Sequence, residues 1–250
     1  MPRNYRAKKL GQVFLINENI AKKQVKYANV NKKDTVFEIG AGRGILTKYL
    51  IRKARKVIVI EKDRLLVEYL KNRFKDAKNL EVILGDALKV NFPKFNKVVS
   101  NIPYSISSKL LFKILSYDFE LGVLMFQKEF AEKMIAKPGM PNYGRLSVKF
   151  NMLAEGKILR FIHPRNFRPV PKVFSAIVLI EPKSKRILDN DFGRFVDKVF
   201  CYRRKTLKNA FEAAYRVRLP FDDEILHRKV YSLSIEELRS IYERIKIYIT

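Results

Sequence analysis

"TVFEIGAGRGILTKYLIRKARKVIVIEKD", residues 35–63, decides the fold. It opens on a short apolar run (35–40) rich in β-branched and aromatic residues and closes on another (56–63). Between them Gly40, Gly42 and Gly44 punctuate a loop, and 44–54 carries the spacing of an amphipathic helix. Strand, glycine loop, helix and strand form one βαβ unit. A helical crossover leaves the two strands parallel.

The same alternation runs outward from this unit. Apolar runs recur at "LEVILGD" (80–86), "KVVSN" (97–101), "LGVLMFQ" (121–127), "KILRFI" (157–162) and "SAIVLIEP" (175–182), with a helical pattern at "RLLVEYLKNRF" (64–74). The first five runs of the chain are short and continuous, as in strands buried on both faces. The expected fold is therefore α/β, a Rossmann-like, doubly wound and mainly parallel sheet. The pattern changes near "EPKSKRILDND" (181–191). Beyond it the segments 191–200, 206–216 and 234–248 read as amphipathic helices, the last opened by the capping-box pair Ser234 and Glu237. Two domains are expected: 1–183, the α/β domain, and 184–250, a small all-α domain.

Charge narrows the partner. Lys and Arg number 52 against 25 Asp and Glu, a net charge of +27 in 250 residues. Residues 184–250 hold 15 basic and 10 acidic residues, which leaves 37 against 15 on 1–183. Such an excess points to a polyanion, with RNA, DNA and an anionic membrane as candidates, and the large domain carries most of the attraction. No apolar run approaches the roughly 18 residues of a spanning helix. The basic N-terminus has no apolar core after it, so no secretion signal is expected. Cys201 is the single cysteine, which fits a reducing cytoplasm and excludes an internal disulfide. His163 and His227 lack metal-ligand spacing, so no metal site is expected.

Three successive strand ends define a cofactor. Gly40, Gly42 and Gly44 allow positive φ and close approach of a ligand to the backbone. Their G-x-G-x-G spacing departs from the dinucleotide fingerprint G-x-G-x-x-G. Glu61 ends the next strand, where an acid bridges a ribose diol, and Asp86 ends the third, where an acid accepts from an adenine amino group. A ligand with ribose and adenine but no pyrophosphate fits, and S-adenosylmethionine is that ligand.

The fourth strand ends in "NIPY" (101–104). An exocyclic amine on a base is a poor nucleophile because its lone pair is delocalised into the ring. Hydrogen-bond acceptors on its N–H groups draw it toward tetrahedral geometry. The Asn101 side-chain oxygen is one acceptor, and a backbone carbonyl of the Ile102–Pro103 turn is the other. Pro103, with fixed φ and no N–H, holds that turn rigid. Tyr104 offers a face on which a flipped base stacks. Attack by the neutral amine needs no prior general base, so catalysis rests on alignment and preorganised acceptors.

These motifs resemble the rRNA adenine N6,N6-dimethyltransferases, class I methyltransferases, in particular the branch acting near the 3′ end of small-subunit rRNA. The resemblance spans nearly the whole chain: "KKLGQVFL" (8–15), "EIGAGRGILT" (38–47), "VIEKD" (59–63), "GDAL" (85–88), "NIPYSIS" (101–107), "FQKEFAEKM" (126–134), "NFRPVPKVFSAIV" (166–178) and "FCYRRKTLKN" (200–209). It implies that "GQVFL" folds over the cofactor, with Gln12, Val13 and Leu15 near it. Val13 stands where relatives usually have Asn or His, which leaves a backbone contact there. Lys62 beside Glu61, Ala87 beside Asp86, and Asn101 join the implied cofactor set. Phe167 is implied to sandwich the target base opposite Tyr104. Arg203, Arg204 and Lys205 are implied to reach phosphates. The implied reaction is transfer of four methyls, two to each of two adjacent adenosines in a hairpin, by a monomer acting on small-subunit rRNA or the (pre-)small ribosomal subunit.

Other readings remain open at this stage: a large-subunit rRNA methyltransferase conferring antibiotic resistance, an N6-adenine DNA methyltransferase, or a non-catalytic small-subunit assembly factor. "RRKTL" and the C-terminal helices favour the small-subunit branch. DNA enzymes commonly carry Asp-Pro-Pro-Tyr. Intact Asn101 and Tyr104 argue for catalysis.

Overall fold

A computed structural model describes residues 13–184 and 189–248. The chain divides into two compact units: the chain up to Ala131 with Gly156–Pro182, and Glu132–Glu155 with Lys183 onward.

The first unit is built on the expected sheet. Its strands are β2 (Thr35–Ile39), β3 (Lys56–Glu61), β4 (Leu80–Leu84), β5 (Lys97–Asn101), β6 (Leu121–Gln127), β7 (Ala154–Ile162) and β9 (Ser175–Pro182), in the order β4-β3-β2-β5-β6-β9-β7. A two-stranded antiparallel pair, β1 (Phe14–Leu15) with β8 (Phe167–Arg168), stands apart from it. Strands β2 to β6 are parallel, and β9 runs antiparallel to β6 with Gln127 opposite Ser175. Helices α1 (Glu18–Tyr27), α2 (Thr47–Lys53), α3 (Arg64–Arg73) and α4 (Ser107–Leu115) accompany the strands. The chain winds one way from β2 through β3 to β4, then returns to β5 on the other side of β2. That reversal makes β2 and β5 the topological switch point, where open α/β sheets leave a crevice beyond the strand carboxyl ends.

Burial follows strand position. Val36, Phe37, Val57, Val59, Val98, Val99 and Val123 are fully buried, as central strands covered on both faces require. The fully buried reading does not extend to β4. It lies at one edge of the sheet, where none of its five residues is buried and Leu84 is 44% exposed.

The second unit is helical. Helices α5 (Lys128–Ile135), α6 (Arg145–Leu153), α7 (Asn190–Val199), α8 (Leu207–Tyr215), α9 (Glu224–His227) and α10 (Ile235–Ile245) are found in this part of the chain, α5 beginning in the first unit. Phe192, Phe195, Val199, Phe211 and Ile241 share one core with Tyr143 and Val148. The sequence boundary at 183/184 assigned 132–155 to the large domain; by packing, these residues group with the C-terminal helices. Their apolar faces are those of an ordinary amphipathic helix, and periodicity alone does not name the partner. The capping box at α10 forms, with Glu237 N donating to Ser234 Oγ at 3.1 Å and Ser234 N to Glu237 Oε2 at 2.8 Å. No helix among the described residues is long and apolar enough to cross a membrane.

Candidate active site

Two chain segments meet the crevice at the switch point. After β2 the backbone turns through Gly40 (φ 68°) and Gly42 (φ 56°), conformations costly for a residue with a Cβ. A Cβ on Gly40 would meet only Pro103, at 3.8 Å. The loop is thus open toward the Asn-Ile-Pro-Tyr turn that follows β5. A Cβ on Gly42 would lie 2.8 Å from the Phe14 ring, so Phe14 covers the loop from the other side, with Arg43 over its face.

Phe14 is the residue the sequence reading missed. Of the expected contacts, Leu15 is buried in the core and Val13 packs against that core. Alternation along an extended segment explains it: residues 13 and 15 share one face and residue 14 takes the other. Gln12 lies outside the described residues.

Glu61 orders the loop. Gly42 N donates to its Oε2 at 3.0 Å, and Lys62 N and Asp63 N donate to Oε1 at 2.9 and 3.1 Å. Oε1 is filled by these two donors, while Oε2 keeps capacity for a ribose hydroxyl. Asp86 accepts from Leu88 N at 3.0 Å on Oδ1 and from Lys62 Nζ at 2.9 Å on Oδ2. The Lys62 ammonium holds the Asp86 carboxyl below its ordinary range, with the Leu88 N–H adding to the effect. Lys62 is 77% exposed, so its end of this bridge is free to swing into solvent. Ala87 is buried beside it.

A third acid, near Glu61, was given no role from sequence. Glu38 on β2 is buried, and burial pushes its carboxyl up to about 8, against a donated hydrogen bond from Thr47 Oγ at 2.7 Å. The nearby Glu61 charge raises it further.

At the end of β5, Ser100 Oγ donates to Ile39 O at 2.5 Å, and Gln24 Nε2 donates to Ser100 O at 3.1 Å and Val123 O at 3.2 Å. Ile102 N donates to Met125 O at 3.0 Å. These bonds fix the strand end that carries Asn101. Its Oδ1 is buried and has no hydrogen-bond partner. Among the described residues Gln24 Oε1 and the Tyr143 hydroxyl share that condition, but Asn101 alone sits at the strand carboxyl end next to the glycine loop. The Pro103 carbonyl accepts from Ile106 N at 3.2 Å and Ser107 Oγ at 3.4 Å, which opens the helix that follows. Tyr104 is half-buried, its hydroxyl 2.6 Å from Ser175 Oγ, and burial pushes the pKa of the phenol up, so it stays neutral.

Two expected contacts meet a different environment. Phe167 is 3% exposed, within the core and opposite Leu15 in the β1–β8 pair. Its ring is packing, and no open face is left for a base in this conformation. Arg203 donates to Pro141 O at 2.9 Å and Tyr143 O at 2.8 Å, so it ties down the loop 137–144 instead of standing free for a phosphate. Gly139 N adds a bond to Tyr231 O at 2.8 Å, so this loop is anchored. Arg204 and Lys205 are exposed. Among the described residues no group of three or more His, Cys, Asp or Glu could hold a metal ion.

An open glycine turn, an oriented carboxylate with a spare acceptor and an orphaned amide oxygen fit a ribose-bearing methyl donor beside a base amine. The sheet and this site define a class I methyltransferase. A family profile described as "Ribosomal RNA adenine dimethylase" matches residues 3–246. The "Probable ribosomal RNA small subunit methyltransferase A" of Thermococcus sibiricus (strain DSM 12597 / MM 739) is 41% identical over 246 residues, covering 94% of this chain and 90% of that protein. A crystal structure of a dimethyladenosine transferase from Plasmodium falciparum superposes with a TM-score of 0.83 at 31% identity, covering 94% of this chain and 98% of the other. The 23S rRNA methyltransferase ErmE gives 0.69 at 25% identity, covering 93% and 99%. The chain belongs to the ribosomal RNA adenine dimethylase family, S-adenosylmethionine-dependent enzymes that dimethylate adenine N6 in ribosomal RNA.

Proposed function

We propose that the protein dimethylates the N6 amino groups of two adjacent adenosines in the hairpin near the 3′ end of small-subunit rRNA, in the cytoplasm, as a monomer, and takes part in small-subunit biogenesis. The observation that carries the chemistry is the buried, unpartnered Asn101 Oδ1. An acceptor withdrawn from water without a partner costs about 1–3 kcal/mol, which a substrate N–H would relieve. The small-subunit assignment is supported by the name of the Thermococcus relative, while the likeness to the 23S rRNA enzyme ErmE is weaker than that to the dimethyladenosine transferase.

S-adenosylmethionine supplies an electrophilic methyl when bound. The chain's residues do the rest. Glu61 Oε2 and the Gly40–Gly42 backbone hold the ribose and its neighbourhood, and Asp86 takes the adenine side. Asn101 Oδ1 accepts one N–H of the target amine. Because the Pro103 carbonyl is engaged by Ile106 and Ser107, the Ile102 carbonyl is the second acceptor. Tyr104, neutral and tethered to Ser175, stacks on the base. Once monomethylated, the amine has one N–H left, so a second transfer keeps one of the two acceptors.

Methyl transfer from labelled S-adenosylmethionine to unmodified small ribosomal subunits, with mass mapping of the rRNA 3′ end, tests this. Two neighbouring dimethyladenosines are expected, and none on large subunits offered in parallel. Modification of the large subunit instead would overturn the small-subunit reading. Tight subunit binding without transfer would leave an assembly factor.

A further inference from the structure

The Tyr104 hydroxyl is bonded to Ser175, and the residue before Ser175 is an exposed phenylalanine. Phe174 is 43% exposed and Phe161, at the end of β7, is 48% exposed. They belong to one patch. Lys128 N donates to Phe174 O at 2.9 Å, while the Lys128 ammonium lies 5.1 Å from the Phe161 ring centre. The His163 ring stands edge-on to Phe174 with centroids 5.0 Å apart. Two large rings kept half in water gain little for stability and mark an interaction surface.

The charge around them chooses the partner. Between Glu155 and Glu181 the chain carries Lys157, Arg160, Arg165, Arg168 and Lys172 and no acidic residue. Arg165, Arg168 and Lys172 are exposed. Aromatic faces set among cations, with no acid in the segment, are the makings of a single-stranded nucleic-acid platform: bases stack on the rings and phosphates meet the cations. A surface for a second copy of a chain with net charge +27 would instead bring like charges together.

We propose that Phe161 and Phe174 form a stacking shelf for the unpaired nucleotide next to the target adenosine in the RNA. The shelf begins one residue from the serine that holds Tyr104, so a strand whose target base stacks on Tyr104 carries its neighbour onto Phe174. This rests on the RNA-methylating reading above and adds to it a second base-binding position, outside the methyl-transfer site. It requires at least one nucleotide beside the target to leave its stack as well.

The test uses the full chain and a labelled RNA hairpin with two adjacent adenosines in its loop and 2-aminopurine beside them. Variants are Phe161→Ala, Phe174→Ala, the double substitution, and Phe174→Tyr as the ring-preserving control. The double variant is expected to lose roughly tenfold or more in RNA affinity, as for loss of base–aromatic stacking. The dependence of affinity on salt should stay the same, because no phosphate contact is removed. Quenching of 2-aminopurine should fall in Phe174→Ala and return in Phe174→Tyr. Cofactor affinity and thermal midpoint should not move. Unchanged affinity and quenching in the double variant, with the unaltered chain binding normally, would overturn the shelf and leave the function intact. The same result with loss of concentration-dependent self-association would make the patch a contact between copies and overturn the RNA assignment. Failure of the unaltered chain to bind the hairpin or small subunits would overturn the functional reading and the shelf with it.

Discussion

Strand β5 has an asparagine at each end, and they live opposite lives. Asn96, just before the strand, is saturated: its Oδ1 accepts from Thr35 N at 2.8 Å and its Nδ2 donates to Asp34 Oδ1 at 2.8 Å and Glu120 Oε2 at 3.2 Å. Asn101, at the carboxyl end, keeps Oδ1 buried with no partner. The chemistry of the two side chains is identical, so the difference lies in what the fold supplies around them. At the amino ends of β2 and β5 the chain closes on itself. At the carboxyl ends it leaves polar capacity unfilled, which a folded protein tolerates where a ligand completes it.

The sharpest way to break this comparison is to remove both. Asn101→Ala should lower methyl transfer by about 10²–10³-fold, the scale for one preorganised hydrogen-bonding group at a reacting centre. Its stability should hold or rise, because an unpaired buried acceptor is gone. Asn96→Ala should do the reverse: a loss of about 2–4 kcal/mol from stranding Thr35 N and a buried aspartate, with the turnover of folded enzyme unchanged. Single-turnover methylation and denaturant unfolding of both variants check this. Equal losses of stability would remove the distinction.

The acids flanking β2 repeat the contrast. Asp34 precedes the strand, 3% exposed. Burial pushes its carboxyl up, but the Asn96 amide, the Asn31 N–H and Lys97 together hold it below the ordinary range. Glu38, near the carboxyl end, has only Thr47, through its hydroxyl and its backbone N–H, against full burial and is pushed up to about 8. A carboxyl whose folded value is raised binds more protons folded than unfolded. Its effect is absent below the unfolded value and costs stability as pH rises toward about 8. Asp34 acts oppositely, stabilising above its unfolded value, with that contribution lost as pH falls through the lowered folded one. Glu38→Gln should therefore flatten the decline in stability between weakly acidic and weakly alkaline pH, a difference of a few kcal/mol in unfolding free energy at the alkaline end. If wild type and Glu38→Gln decline in parallel, another group titrates there.

Sequence carried the scaffold because the scaffold is local. Each strand that periodicity marked is present, and the βαβ unit at 35–63 supplies β2, one side of the switch point, where a Cβ on Gly40 would lie 3.8 Å from Pro103. What escaped depends on neighbours distant in sequence. Leu84 reads like any buried strand residue until β4 is seen at the edge. Arg203 reads as a phosphate ligand until the carbonyls of Pro141 and Tyr143 are found within reach. Phe167 reads as a platform until its strand pairs with Leu15. Phe14 was legible in principle, since alternation along 13–15 puts one residue of the three on the loop, where a Cβ on Gly42 would meet its ring.

Two lysine–carboxylate pairs carry the same contrast, and the open one gives the smallest effect. Lys97 Nζ lies 3.0 Å from Asp34 Oδ2 with both side chains nearly fully buried, and it also donates to Asn29 O at 2.8 Å. Lys62 bridges to Asp86 at 2.9 Å with the lysine mostly in water. Lys97→Met strands a buried charge and should cost about 3–5 kcal/mol. Lys62→Met should cost less than about 1 kcal/mol, and that difference should vanish in high salt. The cofactor separates structural from functional use of the open pair. If Asp86 reads the adenine, Asp86→Asn weakens S-adenosylmethionine binding while Lys62→Met, which releases Oδ2, does not. Calorimetric titration of both variants decides it. Equal weakening would make the bridged pair, and not the carboxylate alone, the element that recognises the base.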